Sequence, residues 1–183
     1  ILRSGDGDVE LGKLLEIFVL NRITDPMSKL GVTRWYGSTA IPLLTGVAND
    51  AVNESRLYRS LPGIASQQER IEQHLFETQV KSRDPQLNSL YFYDLTSSYF
   101  EGECVEMGAY SEHSKDHRPD RLQLMLGLLI NGKGIPFSWD IFKGNQGEAP
   151  TLIGQLKKFK NRFGIANAIL VFDRGFLSYD NLD

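Results

Sequence analysis

Two aspartates, each set in an apolar run, are the residues of this sequence best suited to chemistry. Asp94 lies in the aromatic-rich run of residues 90–96, and Asp173 ends the run of residues 168–173. Both runs are predicted to be short strands buried on both faces, because they are nearly continuous in β-forming residues and lack Pro and Gly. An ionised carboxylate on such a strand is costly unless a cation, hydrogen bonds or water receive it.

A divalent metal ion is the simplest cation that could bind both acids and compensate their charges. Mg²⁺ takes oxygen ligands, commonly one or two carboxylates with water and substrate phosphates, and a pair of such ions supports phosphoryl transfer. The alternative is that Asp94 and Asp173 act separately, one forming a turn and the other capping a helix. The two residues alone leave both interpretations open.

Composition sets limits on the class of protein. The 183 residues are 41% hydrophobic and 23% charged, as expected for a globular protein, and the net charge of −3 argues against a generally basic nucleic-acid-binding protein. Any contact with DNA must therefore be local or must rely on parts that this chain lacks. No apolar run approaches the roughly 18 residues of a membrane span. The single Cys104 excludes an internal disulfide and fits a reducing cytoplasm.

The first part of the chain is predicted to be helical. Apolar residues at helical spacing predict helices, with Asp25 capping the second and a capping box of Ser66 and Glu69 opening the last. Two short helices joined tightly fit either a helix-turn-helix or a plain α-hairpin. The predicted helices cover residues 9–24, 27–36, 49–60 and 66–83, and Asp84-Pro85-Gln86 marks the predicted boundary between a region of residues 1–85 and a region of residues 86–183.

The second part changes to strand periodicity. It is predicted to run as four strands, a helix and a further strand, which gives a mixed α/β fold for the whole chain. In such a sheet the first strand and the strand after the helix lie side by side, so acids on both can meet. The predicted strands cover residues 90–100, 104–107, 122–130, 135–142 and 168–173, with the helix at residues 150–162.

Five motifs in this second part resemble the DDE transposases of bacterial insertion sequences, and more narrowly the insertion-sequence-four group. The helical residues 9–83 are similar, less specifically, to the region that precedes the catalytic domain in that family. The motifs are YDLTSSYFEG at 93–102, HSKDHRPD at 113–120, GLL and NGKGIP at 127–129 and 131–136, FKGN at 142–145 and DRGF at 173–176.

The resemblance implies a truncated ribonuclease-H-like catalytic domain in which Asp94 and Asp173 match the first and second of three metal-binding acids. Two Mg²⁺ ions, replaceable by Mn²⁺, would serve DNA cleavage and strand transfer. The third acid would be a Glu in a Tyr-x2-Arg-x3-Glu-x6-Lys pattern, and the chain stops before it. We therefore expect this fragment to be nearly inactive alone.

The same resemblance implies partners and a location. They are double-stranded DNA at the transposon ends and target, a second copy of the full-length protein in a homodimer, and the nucleoid of a bacterial cytoplasm, with no membrane. The alternative function is a non-catalytic DNA-binding or regulatory remnant of a transposase gene. A third alternative is an unrelated α/β domain with two structural acids.

Basic residues near the acids are candidate contacts to DNA phosphates. They could equally be a solvated loop balanced by Asp116 and Asp120, and Arg174 could pair with a carboxylate. A zinc pair of His113 and His117 is disfavoured because Pro119 and nearby serines predict a loop. The candidates are Lys115, His117, Arg118, Arg121 and Arg174, and the helix of residues 150–162 adds Lys157, Lys158, Lys160 and Arg162, which contact either DNA or solvent.

Overall fold

The computed structural model describes residues 9–83, 90–101, 120–165 and 167–173. Within these ranges the fold is mixed α/β, with six α-helices and one four-stranded mixed sheet, and the predicted fold class is confirmed. The chain divides into two compact units, Ile1–Arg70 and Ile71–Asp183. The predicted boundary at 84–86 lies outside the described residues and stays a prediction. No helix in the described ranges is long and apolar enough to cross a membrane.

The first unit is built from four helices packed on an apolar core. Tyr36 is fully buried in this core. Its hydroxyl lies 2.6 Å from Thr45 Oγ1 and donates to the Val47 carbonyl oxygen at 2.8 Å. The helices are α1 (Leu11–Thr24), α2 (Lys29–Gly37), α3 (Ile41–Thr45) and α4 (Glu54–Ala65), and the core includes Leu14, Ile17, Val32, Trp35 and Leu57.

The turn between α1 and α2 differs from its prediction. Ser28, not Asp25, caps α2, and its side chain accepts from the Gly31 N–H at 3.2 Å. Buried Asn21 instead organises the residues around Asp25, donating to the Asp25 carbonyl oxygen at 2.8 Å and accepting from the Met27 N–H at 3.2 Å. Asp25 does not cap α2 because this helix begins only at Lys29, directly after Ser28.

The bounds of α4 also correct the sequence prediction. This helix is capped by Asn53 and continues through Pro62 to Ala65, although the proline predicted a stop before residue 61. An interior proline costs about 3 kcal/mol. The turn that follows it is held by the Ser66 N–H, which donates to the Pro62 carbonyl oxygen at 2.9 Å, and by close packing of Gly63 on the Leu11 side chain of α1. The Ser66 capping box is wrong as well, because Ser66 lies at the C-terminal end of α4 and its hydroxyl donates to the Gly63 carbonyl.

The sheet belongs to the second unit, and the strand order is β3-β2-β1-β4. Strand β1 (Leu90–Tyr99) is antiparallel to β2 (Gln123–Asn131), which is antiparallel to β3 (Pro136–Lys143). Helix α6 (Glu148–Asn161) then leads to β4 (Ile169–Val171), which is parallel to β1. This order confirms that the first strand and the strand after the helix are neighbours. The strand predicted at 104–107 lies outside the described residues.

One face of this sheet carries the core of the second unit. Helix α5 (Gln68–Leu75) continues as a π-helix (Phe76–Lys81), whose residues Phe76 and Val80 pack in the same core as the sheet and α6. Aromatic rings dominate this core; those of Phe76 and Phe163, for example, lie 4.9 Å apart. The other members are Tyr91, Tyr93, Leu95, Met125, Leu129, Phe137, Leu152, Phe159 and Ile165.

The prediction that β1 and the final strand are buried on both faces is wrong. Strand β1 alternates, with Tyr91, Tyr93 and Leu95 buried and Asp94 and Thr96 exposed. On β4, Ile169 and Val171 are exposed by 64% and 41%. Among the described residues, packing covers only one face, so every second residue faces outward despite the apolar sequence.

Candidate metal site

The pairing of β1 with β4 controls the relation between the two acids. Leu90, Tyr91 and Phe92 pair in parallel with Ile169, Leu170 and Val171. Asp94 follows Phe92 by two residues, and Asp173 follows Val171 by two residues. Strand β4 ends at Val171, so the prediction that the two carboxylates meet requires the chain to stay extended and in register for two residues beyond the last pair.

Asp94 is held in place by its neighbours in the strand. Tyr93 and Leu95 on either side are buried, at 2% and 1% exposure, whereas Asp94 is exposed. Its Oδ1 accepts from the Leu95 N–H at 2.9 Å, and across the sheet Asp94 is paired with Leu128. The two buried neighbours anchor the backbone, so the carboxylate is presented outward from a rigid strand.

Asp173 has a similar setting at the end of β4. It is exposed, and the preceding half-buried Phe172 packs against the core of the second unit. Both acids therefore follow a buried or half-buried aromatic residue, Tyr93 in one case and Phe172 in the other.

The donor chemistry of this pair fits a hard divalent cation. Carboxylate oxygens are the ligands that Mg²⁺ prefers, and one or two of them with water or phosphate oxygens are usual. The described residues contain no group of three or more His, Cys, Asp or Glu that could hold a metal. If Asp94 and Asp173 meet, two carboxylates with further oxygen ligands would suit Mg²⁺ or Mn²⁺ better than zinc.

Behind Asp94, on the covered face, Tyr93 has an altered acidity. Burial is the main cause that raises the pKa of its hydroxyl to about 12, with smaller contributions from the negative charges of Asp140 and Asp94. The side chains of Thr151 and Gln155 on α6 act in the opposite direction and lower this pKa. Tyr93 is therefore a neutral hydroxyl at physiological pH, set between β1 and α6.

A buried ionic cluster lies on the same covered face, and sequence reasoning missed it. Glu72 is fully buried; its Oε2 lies 2.6 Å from Arg162 Nη1, and its Oε1 accepts from the Trp139 N–H at 2.9 Å. Lys158 Nζ lies 3.7 Å from Glu72 Oε1 and 2.7 Å from Asp140 Oδ1. Glu72 lies four residues before Phe76 and eight before Val80, so an acid on an apolar stripe was the signal that could have revealed it.

This cluster overturns both interpretations for two of the four basic residues near the end of α6. Lys158 and Arg162 are occupied by Glu72 and Asp140, so neither the DNA-contact nor the solvated interpretation describes them. Lys157 and Lys160 are exposed on the other side of the helix. The basic face of α6 is therefore narrower than the sequence indicates.

The structure does not bring Arg121 beside the acids. Its Nη1 donates to the Glu101 carbonyl oxygen at 3.3 Å and its Nε lies 3.6 Å from Asp120 Oδ2. Glu101 follows Asp94 by seven residues of nearly extended chain, which is on the order of 20 Å. The other candidate phosphate contacts, Lys115, His117, Arg118 and Arg174, lie outside the described residues and stay predictions.

Searches for similar proteins gave matches only among solved structures; no protein-family model and no curated protein matches the sequence. One match is a Mos1 transposase paired-end complex with the left transposon end, at 13% identity and a TM-score of 0.36, covering 98% of this chain and 57% of that one. A pre-cleavage Mos1 transpososome gives 13% identity and 0.34, covering 98% and 58%. A mariner Mos1 paired-end complex with Mg gives 15% identity and 0.31, covering 98% and 58%.

These structural neighbours are transposase complexes, and this chain spans a little over half the length of each. Similarity at these identities and TM-scores establishes neither a family nor an activity. The chemical case for the site therefore depends on the chain's own residues, above all on the placement of Asp94 and Asp173.

Proposed function

We propose that this chain is part of a DDE-type transposase of the bacterial insertion-sequence-four group, with Asp94 and Asp173 as its first two metal-binding acids. The observation that supports this most directly is the parallel register of β1 and β4, in which Phe92 is paired with Val171 and each of these two residues lies two positions before one of the acids. The motifs around residues 93–102 and 173–176 add to it, because they contain these same acids in the family's order.

The two carboxylates determine what the site can bind. Two carboxylates close together carry two negative charges, and without a bound cation these charges repel a DNA phosphate. Mg²⁺ bound there would make that spot attractive to a phosphodiester and would supply activation of water or a 3′-hydroxyl and stabilisation of the leaving oxygen. The role of Asp94 and Asp173 is to hold the ions at a fixed point of a rigid strand pair, which favours a defined geometry.

The wider proposal concerns partners. Double-stranded DNA, as transposon ends and as target, is the substrate, and Lys115, His117, Arg118 and Arg174 are its proposed phosphate contacts. A homodimer acting in the bacterial cytoplasm, associated with the nucleoid, completes the proposal. The net charge of −3 is consistent with DNA contacts that are local and that depend on bound cations.

Metal titration tests the centre of this proposal. Mn²⁺ binding is measured by electron paramagnetic resonance for the wild-type chain, Asp94→Asn, Asp173→Asn and the control Asp50→Asn, an exposed acid of the first unit. We expect at least tenfold weaker binding in either site variant and wild-type binding in the control, with circular dichroism unchanged in all. Wild-type affinity in both site variants would refute the metal site.

DNA binding separates the transposase from its alternative. Fluorescence anisotropy with a double-stranded oligonucleotide is compared in Mg²⁺ and in EDTA. We expect Mg²⁺ to tighten binding in the wild-type chain and in Asp50→Asn but not in Asp94→Asn or Asp173→Asn. Binding that is equally tight in EDTA and in all variants would instead favour the non-catalytic DNA-binding protein.

A further inference from the structure

Strand β3 forms one edge of the described sheet, because the strand order is β3-β2-β1-β4 and β3 pairs with β2 on one side only. An edge strand presents backbone N–H and C=O groups that can pair with a strand of another molecule. In an antiparallel strand both groups of one residue point the same way, and the direction alternates from residue to residue. The groups that cover the outer side of β3 therefore decide whether another chain can pair with it.

Two charged side chains bond the backbone of Trp139, in the middle of β3. Glu72 Oε1 on α5 accepts from the Trp139 N–H at 2.9 Å, and Lys158 Nζ on α6 donates to the Trp139 carbonyl oxygen at 3.3 Å. Trp139 lies opposite Leu128 of β2, and its bonds to the two helices show that its backbone groups point away from β2. One acid and one base thus occupy both groups that this residue presents at the edge.

Further contacts fix these two side chains in place. Lys158 Nζ lies 2.7 Å from Asp140 Oδ1 and 3.7 Å from Glu72 Oε1, and Glu72 Oε2 lies 2.6 Å from Arg162 Nη1. Glu72 is fully buried. Hydrogen bonds to ionised groups are stronger than those between neutral groups. A strand that approached from outside would have to displace this network before it could pair with Trp139.

The rest of the β3 edge is short. Ile141 lies two residues beyond Trp139, so its N–H and C=O also point outward. Its side chain is exposed, and among the residues that the structure describes no side chain bonds its backbone. At the other end the strand begins with Pro136, which has no N–H, and a β-bulge interrupts the ladder close to it. The open part of the edge therefore begins only after Trp139.

We infer that Glu72 and Lys158 guard the edge of β3 against addition of a strand from a second copy of this chain. Antiparallel pairing of two identical edges is self-complementary, so a second copy is a suitable partner for an open edge. With both caps in place, too few consecutive backbone groups are open for a stable pairing. Loss of the Glu72 cap joins the N–H groups of Trp139 and Ile141 in one continuous edge.

This inference goes beyond the proposed function and does not depend on the metal site. It concerns only association through β3. The homodimer of the proposed function would therefore form through a different surface, and a test of the guard leaves the test of Mn²⁺ binding unaffected.

Amide hydrogen exchange in the wild-type chain, followed by nuclear magnetic resonance, measures the cap directly. The N–H groups of Trp139 and Ile141 lie on the same side of the same strand, so they form a matched pair that differs in the Glu72 cap. We expect the Trp139 amide to exchange about 100-fold more slowly than the Ile141 amide. Equal exchange rates of the two amides would overturn the proposal.

Sedimentation velocity measures the association that the guard prevents. Glu72→Leu removes the acceptor of the Trp139 N–H, whereas the control Arg162→Met removes the same ion pair without removing a bond to β3. We expect Glu72→Leu to self-associate about tenfold more tightly than the wild-type chain and Arg162→Met to match the wild type. Adding Ile141→Pro should reverse the effect of Glu72→Leu, because proline removes an outward N–H and no ladder bond. Association of Glu72→Leu equal to that of Arg162→Met, or unchanged by Ile141→Pro, would overturn the proposal.

Lys158→Met provides a milder second variant in case Glu72→Leu does not fold. It removes the cap on the Trp139 carbonyl oxygen and leaves Glu72 paired with Arg162. The matched control is Lys157→Met, at an exposed position of the same helix. We expect Lys158→Met to associate about threefold more tightly than the wild-type chain and Lys157→Met to match it, with circular dichroism unchanged in both. Equal association of these two variants would also contradict the guard.

Discussion

Phe92 on β1 is paired with Val171 on β4 in a parallel register, and each is followed two residues later by an aspartate. One strand pairing thus brings together the two runs of residues that precede the acids, although these runs are far apart in the chain. On the opposite face of the sheet, Tyr93 and the Glu72 cluster form a polar layer between the strands and α6. The acids are exposed, whereas the groups that hold their strands are buried.

Two aligned carboxylates should destabilise the metal-free chain. Like charges opposite each other on neighbouring strands repel, typically by a few tenths of a kcal/mol. In EDTA we therefore expect Asp94→Asn and Asp173→Asn each to raise the free energy of unfolding by about 0.5 kcal/mol, measured by urea denaturation at low salt. Addition of Mg²⁺ should raise the midpoint of the wild-type chain only. Stabilisation of the site variants by Mg²⁺ to the same extent would place the cation elsewhere.

Two glycine substitutions should have opposite effects. Gly127→Ala forces a Cβ to 2.6 Å from the Tyr93 hydroxyl oxygen and should destabilise the second unit by about 1–3 kcal/mol. Gly154→Ala in α6 meets no atom within 4 Å and should stabilise by about 0.5–1 kcal/mol, since alanine is the better helix former. Urea denaturation of both variants measures the difference. Equal effects of the two would show that the Tyr93 ring does not lie over Gly127.

Neutralising Glu72 should be costly. Glu72→Gln removes the buried carboxylate that pairs with Arg162, while Lys158 keeps Asp140 at 2.7 Å, and breaking a buried pair costs about 3 kcal/mol. The matched control is Glu69→Gln, an exposed acid on the same helix, which should change stability by less than about 0.5 kcal/mol. Thermal and urea unfolding of the two variants make the comparison. If Glu72→Gln were as stable as Glu69→Gln, the buried ion pairing of Glu72 would be contradicted.

The raised pKa of Tyr93 predicts a loss of stability in alkali. In the folded chain this pKa is about 12, above the usual 10.0, because burial disfavours the phenolate. The stabilising contribution is therefore fully present below pH 10 and is lost as pH rises from 10 towards 12, where the unfolded chain gives up the proton first. Absorbance titration near 295 nm of wild type minus Tyr93→Phe should show one phenol ionising near pH 12. Ionisation of that phenol near pH 10 would contradict its burial.

Substitutions at the start of α2 can distinguish the observed N-cap, Ser28, from the N-cap expected from the sequence, Asp25. Ser28→Ala removes the side chain that accepts from the Gly31 N–H and should cost about 1 kcal/mol. Asp25→Ala should cost less, because the bond of Asn21 at this turn is to the Asp25 backbone carbonyl, which the substitution retains. Chemical denaturation of both variants checks this order. A larger loss of stability in Asp25→Ala than in Ser28→Ala would show that Asp25 caps α2.

Local pattern predicted much of the fold. The order of strands, the helix before the last strand and the long helix near the start all follow from periodicity and β-propensity, which depend on neighbouring residues. The errors occurred where tertiary contacts outweighed local preference. The turn of α4 that contains Pro62 packs on Leu11 of α1 through Gly63, and the hydrogen bonds of Asn21 hold the turn that precedes the Ser28 cap of α2.

The candidate site divides in the same way. The sequence by itself determined that Asp94 and Asp173 each follow a run of β-forming residues, because that information is local. Only the tertiary structure decided that β1 and β4 pair in parallel with Phe92 opposite Val171, and that Glu72 pairs with Lys158 and Arg162 beneath the sheet. The reason is physical: strand register and charge burial depend on which distant segments pack together, and no short window of sequence contains both partners.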